Sequence, residues 1–191
     1  MIYNLAAGVE GFTSNAFLVT GDRTVLVDVG NDFDIVARVR DHVETLDAVV
    51  LTHAHPDHVG NLPAVTEAFD VPVEGFNPDA DGVGRVLEDG DSIVLGDGTY
   101  TALHTPGHKD DHLCLYARAT GILFAGDLVF EHGGFGRTDL EEGDRSLLVE
   151  SIQRLLEAVD PDLDVMYAGH GRSVETEPYR NIELAAQAAR F

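Results

Sequence analysis

Three histidines and an aspartate lie within six positions of the stretch LTHAHPDHVG, which directly follows a run of apolar residues. His53 and His55 are two positions apart, so in an extended chain their side chains point to the same side. Asp57 and His58 follow where the pattern turns from a strand into a helix. Imidazole nitrogen and carboxylate oxygen are ligands for zinc, iron and manganese. The spacing therefore predicts a metal site at the end of this strand.

Three further segments repeat the arrangement of an apolar strand, a turn of small residues and one metal-type ligand. The ligands are His108 in TALHTPGH, Asp127 in ILFAGD and His170 in VMYAGHG. A catalytic zinc site normally takes three protein ligands and keeps one position open for water. Seven candidate ligands are too many for one such ion. We therefore predict two ions about 3.5–4 Å apart, with room for a bridging hydroxide between them.

The elements that must position these ligands are short strands and a few helices. Residues 15–30 predict a hairpin, because two β-branched runs flank turn residues. Apolar residues at helical spacing predict helices over residues 33–46, 58–69 and 144–159, the last with Asp144 as its cap. Strand meanders mixed with helices favour a mixed sheet system covered by helices.

Composition limits the class of protein. The 191 residues have a length typical of one domain, so we predict a single domain over residues 1–191. The formal net charge is −22, and only one of the twelve basic residues is a lysine. Because the acidic residues are spread along the whole chain, we predict adaptation to high salt, with a cationic partner as the alternative. Nucleic-acid binding is not expected, since no basic stripe is visible.

Cys114 is the only cysteine, so no internal disulfide can form, and its apolar neighbours predict a buried strand position.

The cellular location is predicted from two absences in the sequence. The first residues lack the basic start and long apolar stretch of a signal peptide, and no run reaches the roughly 18 apolar residues of a membrane span. We expect a cytoplasmic protein without a membrane partner.

The motif H-x-H-x-D-H at residues 53–58 resembles the signature of the metallo-β-lactamase superfamily. The segments VLVDVG, TPGH, AGD and AGHG accompany it in the family's order, so the resemblance spans nearly the whole chain. It implies one metallo-β-lactamase-like α/β domain, an αββα sandwich of two mixed β-sheets flanked by helices. It also implies the role of each ligand: His53, His55 and His108 bind the first metal, Asp57, His58 and His170 bind the second, and Asp127 bridges the two.

The resemblance also suggests how the site works. Asp28 matches a family aspartate that holds a ligand in its orientation, with a simple strand-end turn as the alternative. We expect two divalent ions, zinc first, although iron and manganese accept the same ligands. A metal-bridging hydroxide would attack an acyl carbonyl, and Asp57 would orient that hydroxide and later accept its proton.

Within the superfamily, residues 126–155 look most like the small glyoxalase II-type hydrolases, which cleave thioesters. By this resemblance Arg137 is a candidate clamp for a substrate carboxylate, with a salt bridge to Asp139 as the alternative. His112 is a candidate substrate contact in the pocket. The larger glyoxalase II enzymes carry an additional C-terminal helical domain that helps hold glutathione, whereas this sequence has room for one further helix. The predicted substrate is therefore a small thioester, or a related acyl ester or lactone.

Two other functions stay open. A persulfide dioxygenase of the same superfamily resembles glyoxalase II but uses a single iron, for which His53, His108 and Asp127 are the matching ligands. A metal-binding scaffold without catalysis is the second alternative. A nuclease is disfavoured, because neither added length nor a basic segment is present. The sequence does not indicate an oligomeric state.

Overall fold

The structure, a computed structural model, describes residues 1–80 and 82–191. The chain divides into two compact units. Unit 1 comprises Met1–Leu87 and Val94–Gly98, and unit 2 comprises Glu88–Ile93 and Thr99–Phe191. The single domain over residues 1–191 stays a prediction.

Unit 1 is built on a mixed β-sheet with the strand order β1-β2-β3-β4-β5-β6. Its strands are β1 (Ile2–Asn4), β2 (Phe17–Val19), β3 (Val25–Val27), β4 (Ala48–Val50), β5 (Val73–Gly75) and β6 (Val83–Val86). The predicted hairpin is confirmed, since β2 and β3 pair antiparallel with Leu18 opposite Leu26. Strands β3 to β6 run parallel. Strand β4 is fully buried and leads directly into the histidine motif.

The helices of unit 1 are shorter than predicted. They are α1 (Ile35–Arg40), α2 (Pro56–Val59) and α3 (Leu62–Phe69). The predicted helix over residues 33–46 is wrong in length, because helix α1 ends at Arg40. The single helix predicted over residues 58–69 is also wrong, since Gly60 caps the C-terminus of α2 and Asn61 caps the N-terminus of α3. Pro63 lies in the first turn of α3, where a residue without an N–H is tolerated, and so marks a new helix start.

Unit 2 contains most of the second mixed sheet, whose strand order is β11-β10-β9-β8-β7. The strands are β7 (Ser92–Leu95), β8 (Gly98–His104), β9 (Leu113–Ala117), β10 (Ile122–Gly126) and β11 (Val165–Ala168). Strands β8, β9 and β10 are antiparallel neighbours, and β10 pairs parallel with β11. The helices are α4 (Arg145–Ala158) and α5 (Pro178–Ala188), with a short 3-10 turn at Glu131–Gly133.

Helix α4 begins as predicted. The Asp144 carboxylate accepts hydrogen bonds from the backbone N–H groups of Ser146 (2.8 Å) and Leu147 (3.0 Å), which satisfies two donors of the first turn. The helix buries Leu148, Ile152 and Leu155 in the apolar core of the unit. This packing fixes the start of α4 beside the loop that carries His108: a Cβ on Gly107 would lie 2.1 Å from the Leu148 backbone nitrogen.

The predicted fold class is confirmed in its main feature, two mixed β-sheets with flanking helices. Each ligand segment lies at or beyond the end of a strand in its own sheet. Across residues 1–80 and 82–191, no helix is both long and apolar enough to cross a membrane.

Candidate metal centre

The histidine motif of unit 1 lies on the short connection between β4 and α2. His53 is in the connection itself, and His55 has extended backbone angles and caps the N-terminus of α2. Asp57 and His58 belong to α2, whose first residue is Pro56. His53, Asp57 and His58 are buried, and His55 is half-buried. The change from strand to helix thus gathers all four side chains at one end of the sheet.

The four ligand-type groups of the motif lie close together. The Nε2 atom of His53 is 3.1 Å from the Nδ1 atom of His55. Ligand atoms of His53 and His58 lie within 4.8 Å of each other, and so do those of Asp57 and His58. Imidazole nitrogens together with a carboxylate oxygen fit zinc, iron or manganese. This donor set is therefore suited to a divalent metal ion.

Asp28 contacts the Nδ1 side of the His58 ring. Its Oδ2 atom is 2.8 Å from His58 Nδ1, and its Oδ1 atom accepts a 2.8 Å hydrogen bond from the Thr52 backbone N–H. Asp28 is itself buried and has a φ of 55°, in the left-handed region that non-glycine residues rarely adopt. With Nδ1–H of His58 donated to this carboxylate, Nε2 is the nitrogen available to a metal. The role expected for Asp28, the orientation of a metal ligand, stays a prediction.

Thr52 contacts two residues of the candidate site, and the sequence analysis did not single it out. The Thr52 hydroxyl donates to Asp28 Oδ2 at 2.7 Å, and the Thr52 Oγ1 atom lies 3.1 Å from His53 Nδ1. Since the hydroxyl proton goes to Asp28, the hydroxyl oxygen can accept Nδ1–H of His53, which leaves Nε2 of His53 for a metal. The only signal in the sequence was a hydroxyl residue immediately before the first histidine of the motif.

Unit 2 brings together the other three candidate ligands. His108 lies in the loop after β8, Asp127 directly follows β10, and His170 follows β11. The Asp127 Oδ2 atom is 3.5 Å from His108 Nε2 and 3.4 Å from His170 Nε2. His108 and Asp127 are buried, whereas the His170 side chain is 40% exposed. One carboxylate oxygen thus lies between two imidazoles, which again fits a divalent ion.

His108 is oriented by the backbone of a distant segment. Its Nδ1–H donates to the Arg137 carbonyl oxygen at 2.8 Å, so that Nε2 faces Asp127. The neighbouring residue must be glycine: a Cβ on Gly136 would lie 2.1 Å from the Asp127 carbonyl oxygen and 2.8 Å from the His108 ring. Gly136 therefore allows this segment to pass close enough to His108 for the Arg137 carbonyl to accept its hydrogen bond.

The Arg137 side chain is engaged in the salt bridge that the sequence analysis kept as an alternative. Its Nε and Nη2 atoms donate to the two carboxylate oxygens of Asp139 at 2.7 and 2.8 Å. Both side chains are well exposed. The hydrogen bonds from Arg137 lower the pKa of Asp139 to about 2. A substrate contact by Arg137 stays a prediction, and it would require this pair to open.

His112 is fully buried rather than at the surface of unit 2. Its Nδ1 atom is 2.8 Å from the Thr105 hydroxyl, and its Nε2 atom accepts a 2.9 Å hydrogen bond from the Asp127 backbone N–H. The substrate contact expected of His112 stays a prediction. What the geometry shows is a direct link from His112 to a candidate metal ligand, which the sequence analysis did not foresee.

A family model for the metallo-beta-lactamase superfamily matches residues 9–81 and 74–170. The chain belongs to this superfamily. The matched ranges contain all seven candidate ligands, and the clusters of histidine and aspartate could hold metal ions. Members of the superfamily are generally hydrolases that bind divalent metals.

Two curated relatives show the kind of hydrolase that this superfamily member resembles. The chain is 30% identical over 177 residues to "Probable metallo-hydrolase YqgX" of Bacillus subtilis strain 168, covering 81% of this chain and 83% of the relative. It is 28% identical over 192 residues to "Hydroxyacylglutathione hydrolase GloC" of Haemophilus influenzae, covering 85% and 88%. The homologues of this superfamily member thus include hydroxyacylglutathione hydrolases at about 30% identity.

Solved structures confirm the fold. The crystal structure of the B3 metallo-beta-lactamase BLEG-1 matches with a TM-score of 0.78 and 27% identity over 94% of this chain and 99% of that one. TTHA1623 in a di-iron-bound form matches with a TM-score of 0.75 and 30% identity over 94% of both chains. ETHE1 from Myxococcus xanthus matches with a TM-score of 0.71 and 28% identity over 84% and 72%.

Proposed function

We propose that this superfamily member is a dinuclear metallo-hydrolase that cleaves a small acyl thioester, or a related ester or lactone, in the manner of glyoxalase II. The observation that carries the proposal is the orientation of the histidines. His53, His58 and His108 each have Nδ1 beside an oxygen acceptor of the protein, from Thr52, Asp28 and the Arg137 carbonyl. Such contacts fix the tautomer of a metal-binding histidine and leave Nε2 for the ion.

The proposed ligand assignment follows the superfamily pattern. His53, His55 and His108 would hold the first ion, Asp57, His58 and His170 the second, and Asp127 both. Zinc is the proposed metal, and iron is supported by the di-iron form of the related TTHA1623. When bound, two divalent ions lower the pKa of a coordinated water to about 7 and stabilise the negative charge that develops at an acyl carbonyl.

Asp57 is the proposed catalytic carboxylate. It is buried in the first turn of α2, and its backbone carbonyl accepts a 3.0 Å hydrogen bond from the Ser14 N–H, which holds the turn in place. In the proposed reaction a water oxygen attacks the acyl carbon and the carbon–sulfur bond breaks. Asp57 accepts the proton that the water releases and passes it to the departing thiolate. The products are a carboxylic acid and a free thiol.

The substrate class is proposed from the relatives. The relatives are named for the hydrolysis of hydroxyacylglutathione, so a hydroxyacyl thioester of a small thiol is the first compound to test. Arg137 is a candidate contact for a carboxylate of that substrate, in exchange for Asp139. The cytoplasmic location, the adaptation to high salt and the absence of a nucleic-acid partner stay predictions.

The first test is metal content by elemental analysis, on protein purified aerobically and anaerobically in high salt without added metal. Two ions per chain with thioester hydrolysis are the expected result. With both ions restored by added metal, Asp57→Asn should lower kcat by roughly 100-fold or more, since a positioned proton acceptor contributes about that much. Because Asp57 is also a proposed ligand of the second ion, the variant should bind that ion more weakly. Asp79→Asn, the same change at an exposed position of unit 1, is the matched control and should leave kcat unchanged.

The alternatives make different predictions in the same experiment. A single iron per chain with oxygen uptake on a persulfide would favour the dioxygenase, to which the similarity to ETHE1 lends weak support. Two ions per chain without turnover of thioesters, lactones or persulfides would favour a metal-binding scaffold. Either result would overturn the proposed hydrolase.

A further inference from the structure

Asp127 lies in a turn where its backbone N–H has left the sheet. Strand β10 ends at Gly126, where the register with β11 shifts and φ is +48°. The Leu128 N–H then bonds to the Ala125 carbonyl at 3.1 Å and closes a turn around Asp127. The N–H of Asp127 points instead to the His112 ring and donates to Nε2 at 2.9 Å. The backbone of this candidate ligand is thus held by a side chain rather than by a strand.

The direction of this hydrogen bond determines the tautomer of His112. Because Nε2 accepts, it carries no proton, so the proton of the neutral ring is on Nδ1. Nδ1–H donates to the Thr105 hydroxyl oxygen at 2.8 Å, and the Thr105 N–H donates to the His112 carbonyl at 2.9 Å. Thr105 and His112 are both fully buried. Thr105 therefore fixes the ring in the one form that can accept from Asp127.

The position of this turn decides where two candidate ligands meet. The Gly169 N–H donates to the Gly126 carbonyl at 2.7 Å, which ties the residue before His170 to the residue before Asp127. The Asp127 carboxylate lies 3.4 Å from His170 and 3.5 Å from His108. A small displacement of the Asp127 backbone would therefore change both distances at once.

We propose that His112 is a positioning residue for Asp127, held in the required tautomer by Thr105, and that this buried pair sets the metal affinity of the centre. The inference rests on the proposed function for its metal. It concerns residues outside the proposed set of metal ligands, because both nitrogens of the His112 ring are used inside the protein. Partners of this kind typically change metal affinity by about 10–100-fold when they are removed.

The test is metal affinity, measured by competition with a chelator for Zn²⁺ and Co²⁺ on the full chain. Thr105→Val removes the hydroxyl with little change of shape, and His112→Asn is too short to reach the Asp127 N–H. We expect both variants to bind about 10–100-fold more weakly and to show an altered Co²⁺ absorption spectrum. His112→Gln places a carbonyl oxygen near the position of Nε2 and should restore most of the affinity. Thr101→Val in strand β8 is the matched control.

The outcomes separate this inference from the proposed function. Unfolding of each metal-free variant in denaturant measures any general loss of stability. The Co²⁺ absorption spectrum reports the geometry of the ligands, so a general loss of stability alone would not alter it. Unchanged affinity and spectrum in Thr105→Val and His112→Asn would overturn the positioning role. So would a folded His112→Gln that binds as weakly as His112→Asn, or variants in which only the KM for a thioester changes. A wild-type chain that retains no metal would overturn the proposed function itself.

Discussion

Asp28 and His58 are 30 residues apart in the chain, yet the Asp28 Oδ2 atom lies 2.8 Å from His58 Nδ1 in the buried interior of unit 1. The same carboxylate also accepts both the N–H and the hydroxyl proton of Thr52, which in turn contacts His53. One carboxylate therefore controls the orientation of two candidate ligands. Its left-handed backbone conformation shows that the fold maintains this contact against an intrinsic backbone preference.

Asp28→Asn should weaken metal binding by about 10–100-fold, because an amide cannot accept from His58 and Thr52 together in the same way. Asparagine tolerates the left-handed conformation, so the backbone should persist. Asp32→Asn is the matched control, since Asp32 is exposed and has a φ of 57°. Metal affinity by chelator competition is the measurement. Equal affinity of Asp28→Asn and wild type would show that Asp28 has no orienting role.

Gly136→Ala should destabilise unit 2 by about 1–3 kcal/mol, the usual effect of overpacking, and should weaken metal binding. The new methyl group would meet the Asp127 carbonyl and the His108 ring and push away the Arg137 carbonyl that orients His108. Gly134→Ala is the control: its φ of −65° suits alanine, and its Cβ would lie 3.3 Å from the Phe130 Cβ, a contact that a shift of a few tenths of an ångström relieves. Denaturant unfolding and metal content check the prediction, and a Gly136→Ala protein equal to Gly134→Ala in both would contradict it.

Asp139→Asn should lower the KM for a thioester that carries a carboxylate by several-fold, since it releases the Arg137 fork from its present partner. The KM for a neutral thioester of similar size should not change. Glu141→Gln is the control for the loss of one negative charge on the same loop. Equal effects of both variants on both substrates would indicate a general charge effect and would remove Arg137 as a specific contact.

Cys114 should be unreactive towards thiol reagents in the folded protein at pH 8. Burial raises the pKa of its thiol from 9.0 to about 12, so almost no thiolate is present, and the sulfur is inaccessible. Since the folded pKa is raised, the folded state should lose stability as pH rises above about 9. Reaction in urea but not in buffer, followed by absorbance, is the expected result. Rapid modification of folded protein would show that β9 opens locally.

Molar KCl should raise the unfolding temperature of this chain. A net charge of −22 repels itself in dilute salt, whereas the Debye length falls to about 3 Å near 1 M salt. Thermal unfolding followed by circular dichroism at low and high KCl is the measurement. A salt-independent unfolding temperature would contradict adaptation to high salt. Stabilisation by millimolar polyamine, but not by equal ionic strength of KCl, would instead favour a cationic partner.

The sequence by itself determined which residues could bind metal, because ligand chemistry depends on residue type and because each ligand follows a recognisable apolar strand. It also determined the hairpin of β2 and β3 and the cap of α4, since both depend on residues near in sequence. The break between α2 and α3 was missed, although it too is local, because apolar periodicity outweighed Gly60 and Pro63 in the prediction.

Only the tertiary structure decided how the ligands are oriented. The contacts of His58 with Asp28, of His108 with the Arg137 carbonyl and of His112 with the Asp127 N–H join residues 30, 29 and 15 positions apart. Two of them use backbone groups, which every residue possesses and no sequence pattern distinguishes. A buried polar group must find a partner wherever the fold provides one, so its choice depends on packing between segments rather than on local sequence.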